Sequence, residues 1–470
     1  MKSQEIASLL HRHFPFEPTE DQKIAIHALS RFLPSQVNNP LLILKGYAGT
    51  GKTSLMISLV NSLPETNQEF VLLAPTGRAS KVLSSYTKKY AVTIHKKIYH
   101  VEKSADGVEG FSLDINKHHN TVFIIDEASM ISGETEFYTG SSLLDDVIRF
   151  VFNNKGCRLL FLGDTAQLPP VGSPLSPALD IEFIKRNFSV SAASIELTEV
   201  VRQEKDSGIL HNATNMREAL QNEDTSICLI IDDFDDMVRV GGYDLEEELE
   251  TAYATFGWED TIILCRSNKT ANIFNQQIRS RIRWQEDEIS TGDLMMIVRN
   301  NYYWLPKGSK AGFIANGDTI EILQIGSAET RYGLRFVDAT IRLIDYPDEP
   351  EHDVKLLLDT IMANTPSLSN EQNKAFYHAV LADYMHIKNK RERFLKIKAD
   401  PYFNALQVKF GYAITGHKSQ GGQWKAVFVE QGYLADDTID IEYLRWLYTS
   451  FTRATEKLYL INFHDNFFSE

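Results

Sequence analysis

The sequence predicts an α/β protein built from two parallel-sheet domains, each carrying an insertion. Three observations lead there. Gly46-Tyr47-Ala48-Gly49-Thr50-Gly51-Lys52-Thr53 fits G-x-x-x-x-G-K-[ST], with the apolar run Leu41–Leu44 before it and a helical pattern, Ser54–Val60, after it. From Leu41 to about Val200, short apolar runs alternate with helical or loop segments. A second such set runs from Thr261 to Ile461. Strand-then-helix alternation is the pattern of a parallel sheet covered on both faces.

The bulk numbers agree. The 470 residues leave room for several domains, and 43% hydrophobic with 24% charged residues is ordinary globular composition. A formal charge of −15 argues against a surface that coats nucleic acid as a whole, while leaving room for a local basic groove. No run approaches the roughly 20 apolar residues of a membrane span, and Met1–Phe16 lacks the apolar centre of a signal peptide. The expectation is a cytoplasmic protein with no membrane partner. Cys157, Cys228 and Cys265 lie far apart without C-x-x-C spacing, which excludes a disulfide framework or zinc site and predicts buried small hydrophobes.

In chain order, residues 1–200 form the first domain, with strands expected at Leu41–Leu44, Phe70–Ala74, Val122–Ile125, Leu159–Leu162 and Ile195–Leu197. Inside it, about 96–120, the turn signal Asp106-Gly107 flanked by Tyr99, Val101, Phe111 and Leu113 predicts a protruding β-hairpin. The second domain joins 201–285 to 401–470, with strands at Thr261–Cys265, Tyr412–Thr415, Ala426–Val429 and Lys457–Ile461. The insertion 286–400 begins with alternating runs, Asp293–Val298, Thr319–Leu323 and Leu334–Ile344, that predict a small antiparallel barrel. A helical stretch from about Asn370 to Lys398 follows, carrying Lys388, Lys390, Arg391, Arg393, Lys396 and Lys398. That cluster reads as a solvated helix face, with phosphate contact as the alternative.

The chemistry concentrates at strand ends. In the Gly46–Thr53 loop, glycines let successive N–H groups turn toward a polyphosphate, the helix start adds partial positive charge, Lys52 adds a full one, and Thr53 is suited to magnesium. The apolar run Thr121–Ile125 ends in Asp126-Glu127: Asp126 is the candidate metal acid, acting through water, and Glu127 the candidate base for the attacking water. Phe161–Gly172 repeats the strand-then-polar-loop design, and Gln167 ahead of Pro169-Pro170 is placed to bond a γ-phosphate or that water.

Seven segments then stand in a telling order: Gly46–Thr53, Ala74-Pro75-Thr76-Gly77-Arg78-Ala79, Asp126–Ser129, Gly163–Pro170, Val201-Arg202-Gln203, Thr415-Gly416-His417-Lys418-Ser419-Gln420-Gly421 and Tyr448–Ala454. In this the chain resembles the superfamily 1 helicases of the B type, the RecD/Dda-like group, from Gln22 to about Ile461. The resemblance implies two RecA-like domains, a pin hairpin in the first and an SH3-like barrel in the second. It implies ATP and Mg2+ as nucleotide and metal, and single-stranded DNA with its duplex junctions as partner, moved along 5′ to 3′ by a monomer that works beside replication or repair proteins. Residue by residue, Gln22 would read the adenine edge, the loop Gly46, Ala48, Gly49, Thr50, Gly51, Lys52 and Thr53 would hold the nucleotide, Gly421 would touch it, and Arg202 and Arg453 would reach the γ-phosphate. Pro75, Thr76, Arg78, His95, Asn268, Thr415, His417 and Lys418 would line the strand. Phe111, or else Tyr99, would be the pin's wedge. Many relatives carry an acidic residue after Gln420-Gly421, whereas this chain has Gly422-Gln423. Two other readings stay open: an ATP-switched binding or remodelling protein, and an RNA-directed helicase of the same superfamily.

Overall fold

The expected apolar runs become the central strands of two parallel sheets in this computed structural model. It describes residues 1–103, 109–134, 140–170, 172–173, 175–200, 207–306, 309, 311–434 and 439–468, and the backbone alone at 101–103, 109–111 and 370.

The first sheet is formed by β1 (Pro40–Gly46), β2 (Glu69–Ala74) and β3 (Ala91–Thr93); after the hairpin β4 (Tyr99–Lys103) and β5 (Glu109–Leu113) it continues with β6 (Thr121–Ile125), β7 (Arg158–Gly163) and β8 (Ser191–Leu197). Its order is β3-β2-β6-β7-β1-β8, with every pairing parallel. Alternate residues feed opposite cores. Leu42 and Leu44 pack with Leu55, Leu59 and Leu83, while Leu41 and Ile43 pack with Ile94, Leu144 and Val147. Two covered faces explain why these strands read as continuous apolar runs.

The second sheet contains β9 (Met237–Val240) and β10 (Thr261–Cys265). The barrel strands β11 (Leu294–Ile297), β12 (Thr319–Arg331), β13 (Leu334–Leu343), β14 (His352–Leu357) and β15 (Leu406–Phe410) intervene, and β16 (Ala413–Thr415), β17 (Trp424–Glu430) and β18 (Ala454–Ile461) complete it. The sheet order is β16-β10-β17-β18-β9, again parallel.

Several expectations change in detail. The barrel closes with two strands beyond Tyr346, and its last strand, β15, lies past residue 400. It is mixed rather than antiparallel, because β14 and β15 run parallel. The basic stretch is two helices, Asn370–Asp383 and Lys390–Lys398, the second capped by Asn389. Lys388, Lys390, Arg391 and Lys396 are exposed there. Cys157 and Cys265 are buried, but Cys228 is exposed. The hairpin pairs Val101 with Phe111, while its turn Asp106-Gly107 lies outside the described residues. Among the described residues, no helix is long and apolar enough to cross a membrane.

Candidate nucleotide cleft and nucleic-acid track

β1 delivers the Gly46–Thr53 loop to the start of the helix Lys52–Ser62. Gly49 (φ 74°) and Gly51 (φ 81°) occupy left-handed backbone that side chains resist. Lys52 Nζ spans the loop, donating to the carbonyls of Gly46 (2.5 Å) and Tyr47 (2.7 Å). Thr53 is exposed at its rim. Gln22, 3% exposed, lies beneath: its Nε2 donates to Thr50 O (3.0 Å) and its Oε1 accepts from Thr19 N (3.0 Å). The side chain expected to read adenine is therefore also a strut under the phosphate loop.

Both oxygens of Asp126 are held. Oδ1 accepts the Glu127 N–H (2.9 Å) and Oδ2 accepts the Tyr86 hydroxyl (2.5 Å). Glu127 has φ 51°, a strained backbone for a non-glycine residue and one that recurs at working sites. Burial pushes its carboxyl up, Arg453 draws it down, Asp126 raises it, Lys52 lowers it and Asp164 raises it. Arg453, 4% exposed, comes from the turn before β18 and sets its Nη1 3.9 Å from Glu127 Oε1. Its other bonds go to neutral groups: the carbonyls of Thr449 and Gly422 and the Thr452 hydroxyl. A cation of the second lobe thus reaches the strand-end carboxyl of the first.

A second web joins the lobes. Tyr448 donates its hydroxyl to Asp164 Oδ2 (2.6 Å) and accepts from the Ala48 N–H of the phosphate loop (3.0 Å). Arg445 Nη1 donates to Thr165 O (2.6 Å), Gln420 Nε2 to Leu168 O (2.7 Å), and Leu168 N to Thr449 Oγ1 (2.8 Å). Gln167 is 6% exposed, and its Oε1 has no hydrogen-bond partner among the described residues. A buried unpaired amide oxygen is a costly feature that a ligand or ordered water can satisfy. Lys52, Arg453 and the loop N–H groups as donors, with Thr53 and Asp126 as metal-side oxygens, fit a magnesium triphosphate, and the Gln167 oxygen can accept from a water beside it. Arg202 lies in 201–206, outside the described residues.

The expected strand contacts divide into two groups. In the first lobe, half-buried Pro75 links β2 to the helix Gly77–Thr87, and Thr76 caps that helix, its Oγ1 accepting from Ala79 N (3.2 Å). Arg78 stacks on Trp424 of the second lobe, 4.0 Å from the ring centroid, and Nη2 reaches Gln423 O at 3.5 Å. It bridges lobes, which the sequence did not foretell. Gly421 (φ 72°) allows the same approach, since a Cβ there would lie 2.6 Å from Ala79 Cβ. His95 rests against Tyr99 (5.6 Å between centroids), and burial lowers its pKa. The Tyr99 hydroxyl is tied to Asp146 Oδ2 (2.7 Å) at the hairpin's base, and the side chain of Phe111 is outside the described set. In the second lobe, β10 and β16 are neighbours, so Asn268 after β10 lies beside the segment Thr415–Lys418. Burial lowers the His417 pKa; burial and then nearby Lys409 bring Lys418 down to about 8. Sequence reasoning missed Tyr86, Asp164, Trp424, Arg445 and Tyr448 as site residues, although the Asp164 segment resembles β6–Asp126 in its strand-then-acid pattern.

Residues 19–237 match the AAA domain family, and residues 410–461 match the UvrD-like helicase C-terminal domain. The ATP-dependent RecD2 DNA helicase of Deinococcus radiodurans is 30% identical over 174 residues, 37% of this chain and 21% of that protein. The ATP-dependent DNA helicase dda of Enterobacteria phage T4 is 24% identical over 87% of this chain and 92% of its own length. The Pif1 helicase from Bacteroides, solved with ADP-AlF3 and ssDNA, superposes with a TM-score of 0.50 at 14% identity, covering 97% of this chain and 95% of that one. This likeness shows the fold: two RecA-like α/β domains with an inserted barrel.

Proposed function

We propose, for a chain that belongs to the RecD/Dda-like superfamily 1B helicases, that it is an ATP-driven motor that walks 5′ to 3′ along single-stranded DNA and opens the duplex ahead of it. The observation that carries this is Arg453 of the second lobe reaching Glu127 (3.9 Å) beside the phosphate loop of the first. Lys52 and the loop N–H groups hold the phosphates, and Gln22 meets the adenine edge. Gln167 orients the attacking water and Glu127 accepts its proton, the burial that raises this carboxyl making it a stronger base than an exposed glutamate. Arg453, joined by Arg202, steadies charge on the transferring phosphoryl group, for which a planar guanidinium is well shaped. Thr53 and Asp126 would hold magnesium, which would neutralise phosphate charge.

Closure around ATP brings Arg453 toward the phosphate loop and, with it, Thr415, His417, Lys418 and Asn268 toward Thr76 and His95. Reopening after hydrolysis lets one grip advance past the other, so the strand moves. The hairpin, with Phe111 as wedge, parts the duplex at the junction. The enzyme works as a monomer. Duplexes with either a 5′ or a 3′ single-stranded tail provide the test: strand displacement should need ATP and the 5′ tail. Displacement from the 3′ tail alone refutes the polarity. ATP-dependent binding without displacement from either would favour a nucleotide switch, and stimulation of hydrolysis by RNA but not DNA would favour the RNA-directed reading.

A further inference from the structure

We propose that the Tyr86 hydroxyl is a positioning group that couples docking of strand and barrel on the helix Gly77–Thr87 to the placement of the Asp126 carboxylate. The inference rests on the ATPase reading above and concerns a residue outside the seven ordered segments. One helix makes three connections. At its start, Thr76 and Arg78 lie at the edge of the expected strand path, and Arg78 stacks on Trp424. In its middle, Lys81 Nζ sits 2.8 Å from Asp318 Oδ1 and 2.9 Å from Asp345 Oδ2, both from the barrel insertion. Gly77 permits that docking, since a Cβ there would come within 2.4 Å of Ala315 Cβ. In its last turn, Tyr86 bonds Asp126 Oδ2 at 2.5 Å.

A helix is stiff along its axis and rises about 1.5 Å per residue, so displacement at Arg78 or Lys81 is carried to Tyr86 nearly undiminished. Tyr86 is partly buried against the first sheet's core. With Oδ1 fixed by the Glu127 N–H and Oδ2 by Tyr86, the carboxylate plane is set, and each oxygen keeps a lone pair for a metal-bound water. A shift of the helix turns that plane. Strand binding would then be felt at the metal without any contact to it.

The test uses the full chain with a fluorescent ADP as probe, titrating Mg2+ with and without oligothymidylate. In the wild type, the oligonucleotide should move the Mg2+ concentration for half-maximal nucleotide binding. Tyr86→Phe keeps the ring and removes the hydroxyl: the midpoint should rise about tenfold, the scale on which such supporting partners act, and the oligonucleotide-induced shift should collapse. An unchanged midpoint, or a raised one with the oligonucleotide shift intact, overturns the coupling. Should Tyr86→Phe fail to fold, Lys81→Met cuts the barrel from the same helix and must shrink the oligonucleotide shift; an unaltered shift again overturns the inference. Failure of the wild type to bind nucleotide at any Mg2+ concentration would instead sink the ATPase reading.

Discussion

The two sheets present their working residues differently. The first uses one rim: the phosphate loop follows β1, Thr76 follows β2, Asp126 follows β6 and Asp164 follows β7, all at carboxyl ends of strands. The second uses both rims. Gly421 and Gly422 precede β17 and Arg453 precedes β18, whereas Asn268 follows β10 and Thr415 ends β16. On the proposed function, a lobe with chemistry at one end of its strands and grip at the other would convert rotation at the arginine into displacement at the strand contacts. A lobe with both on one rim would then serve as the fixed reference.

Three substitutions sharpen that contrast. The largest effect belongs to the first sheet's rim: Lys52→Ala should lower ATP turnover roughly a thousand-fold or more, with the far-UV circular dichroism of the wild type. Turnover at the wild-type rate would remove the site from this rim. Next comes the amino-terminal rim of the second sheet, where Arg453→Ala should lower kcat by about a thousand-fold while nucleotide affinity falls much less. Its pH profile carries a second sign. Hydrolysis needs the Glu127 carboxylate and is lost as pH falls through its raised pKa, so the acid limb should lie above the ordinary glutamate range. Removing Arg453, which draws that carboxyl down, should move the limb higher still; a limb that stays put would place Arg453 outside the reaction's field.

The smallest effect belongs to the opposite rim. Lys418, brought down to about 8, is charged below that pH and neutral above it, so single-strand affinity should weaken as pH rises through 8. Lys418→Ala should flatten this dependence and reduce the slope of log affinity against log salt by about 1, as expected for one phosphate contact. Equal pH dependence in both proteins would take Lys418 off the strand.

What the sequence disclosed follows from what is local. The phosphate loop, the β6 acids and the central strands are written in consecutive residues, because burial on both faces demands unbroken apolar runs. Gln22 had a readable second role, since Thr19-x-x-Gln22 has capping-box spacing and forms one. Tyr86 and Trp424 left no such mark, and the segments holding Tyr448 and Arg78 did not disclose the partners these side chains take. Each depends on a partner brought near only by the fold, so neither member looks unusual in its own stretch. The barrel's last strand escaped although Gln407 and Lys409 alternate with apolar residues as in the other barrel strands, because two helices, Asn370–Asp383 and Lys390–Lys398, separate it along the chain from the rest of the barrel.

Only Gly411 and Tyr412 separate that last strand, β15, from β16, and the Tyr412 hydroxyl binds Asp293 Oδ1 and the Leu294 amide on the barrel's first strand. Barrel and second sheet are therefore braced as one body. In the proposed cycle, an opening of the crevice would carry the barrel with the second sheet and part the Lys81 ammonium from both its counter-charges at once. That cycle would thus time the release of a latch lying in a wall of the machine that the fuel never reaches.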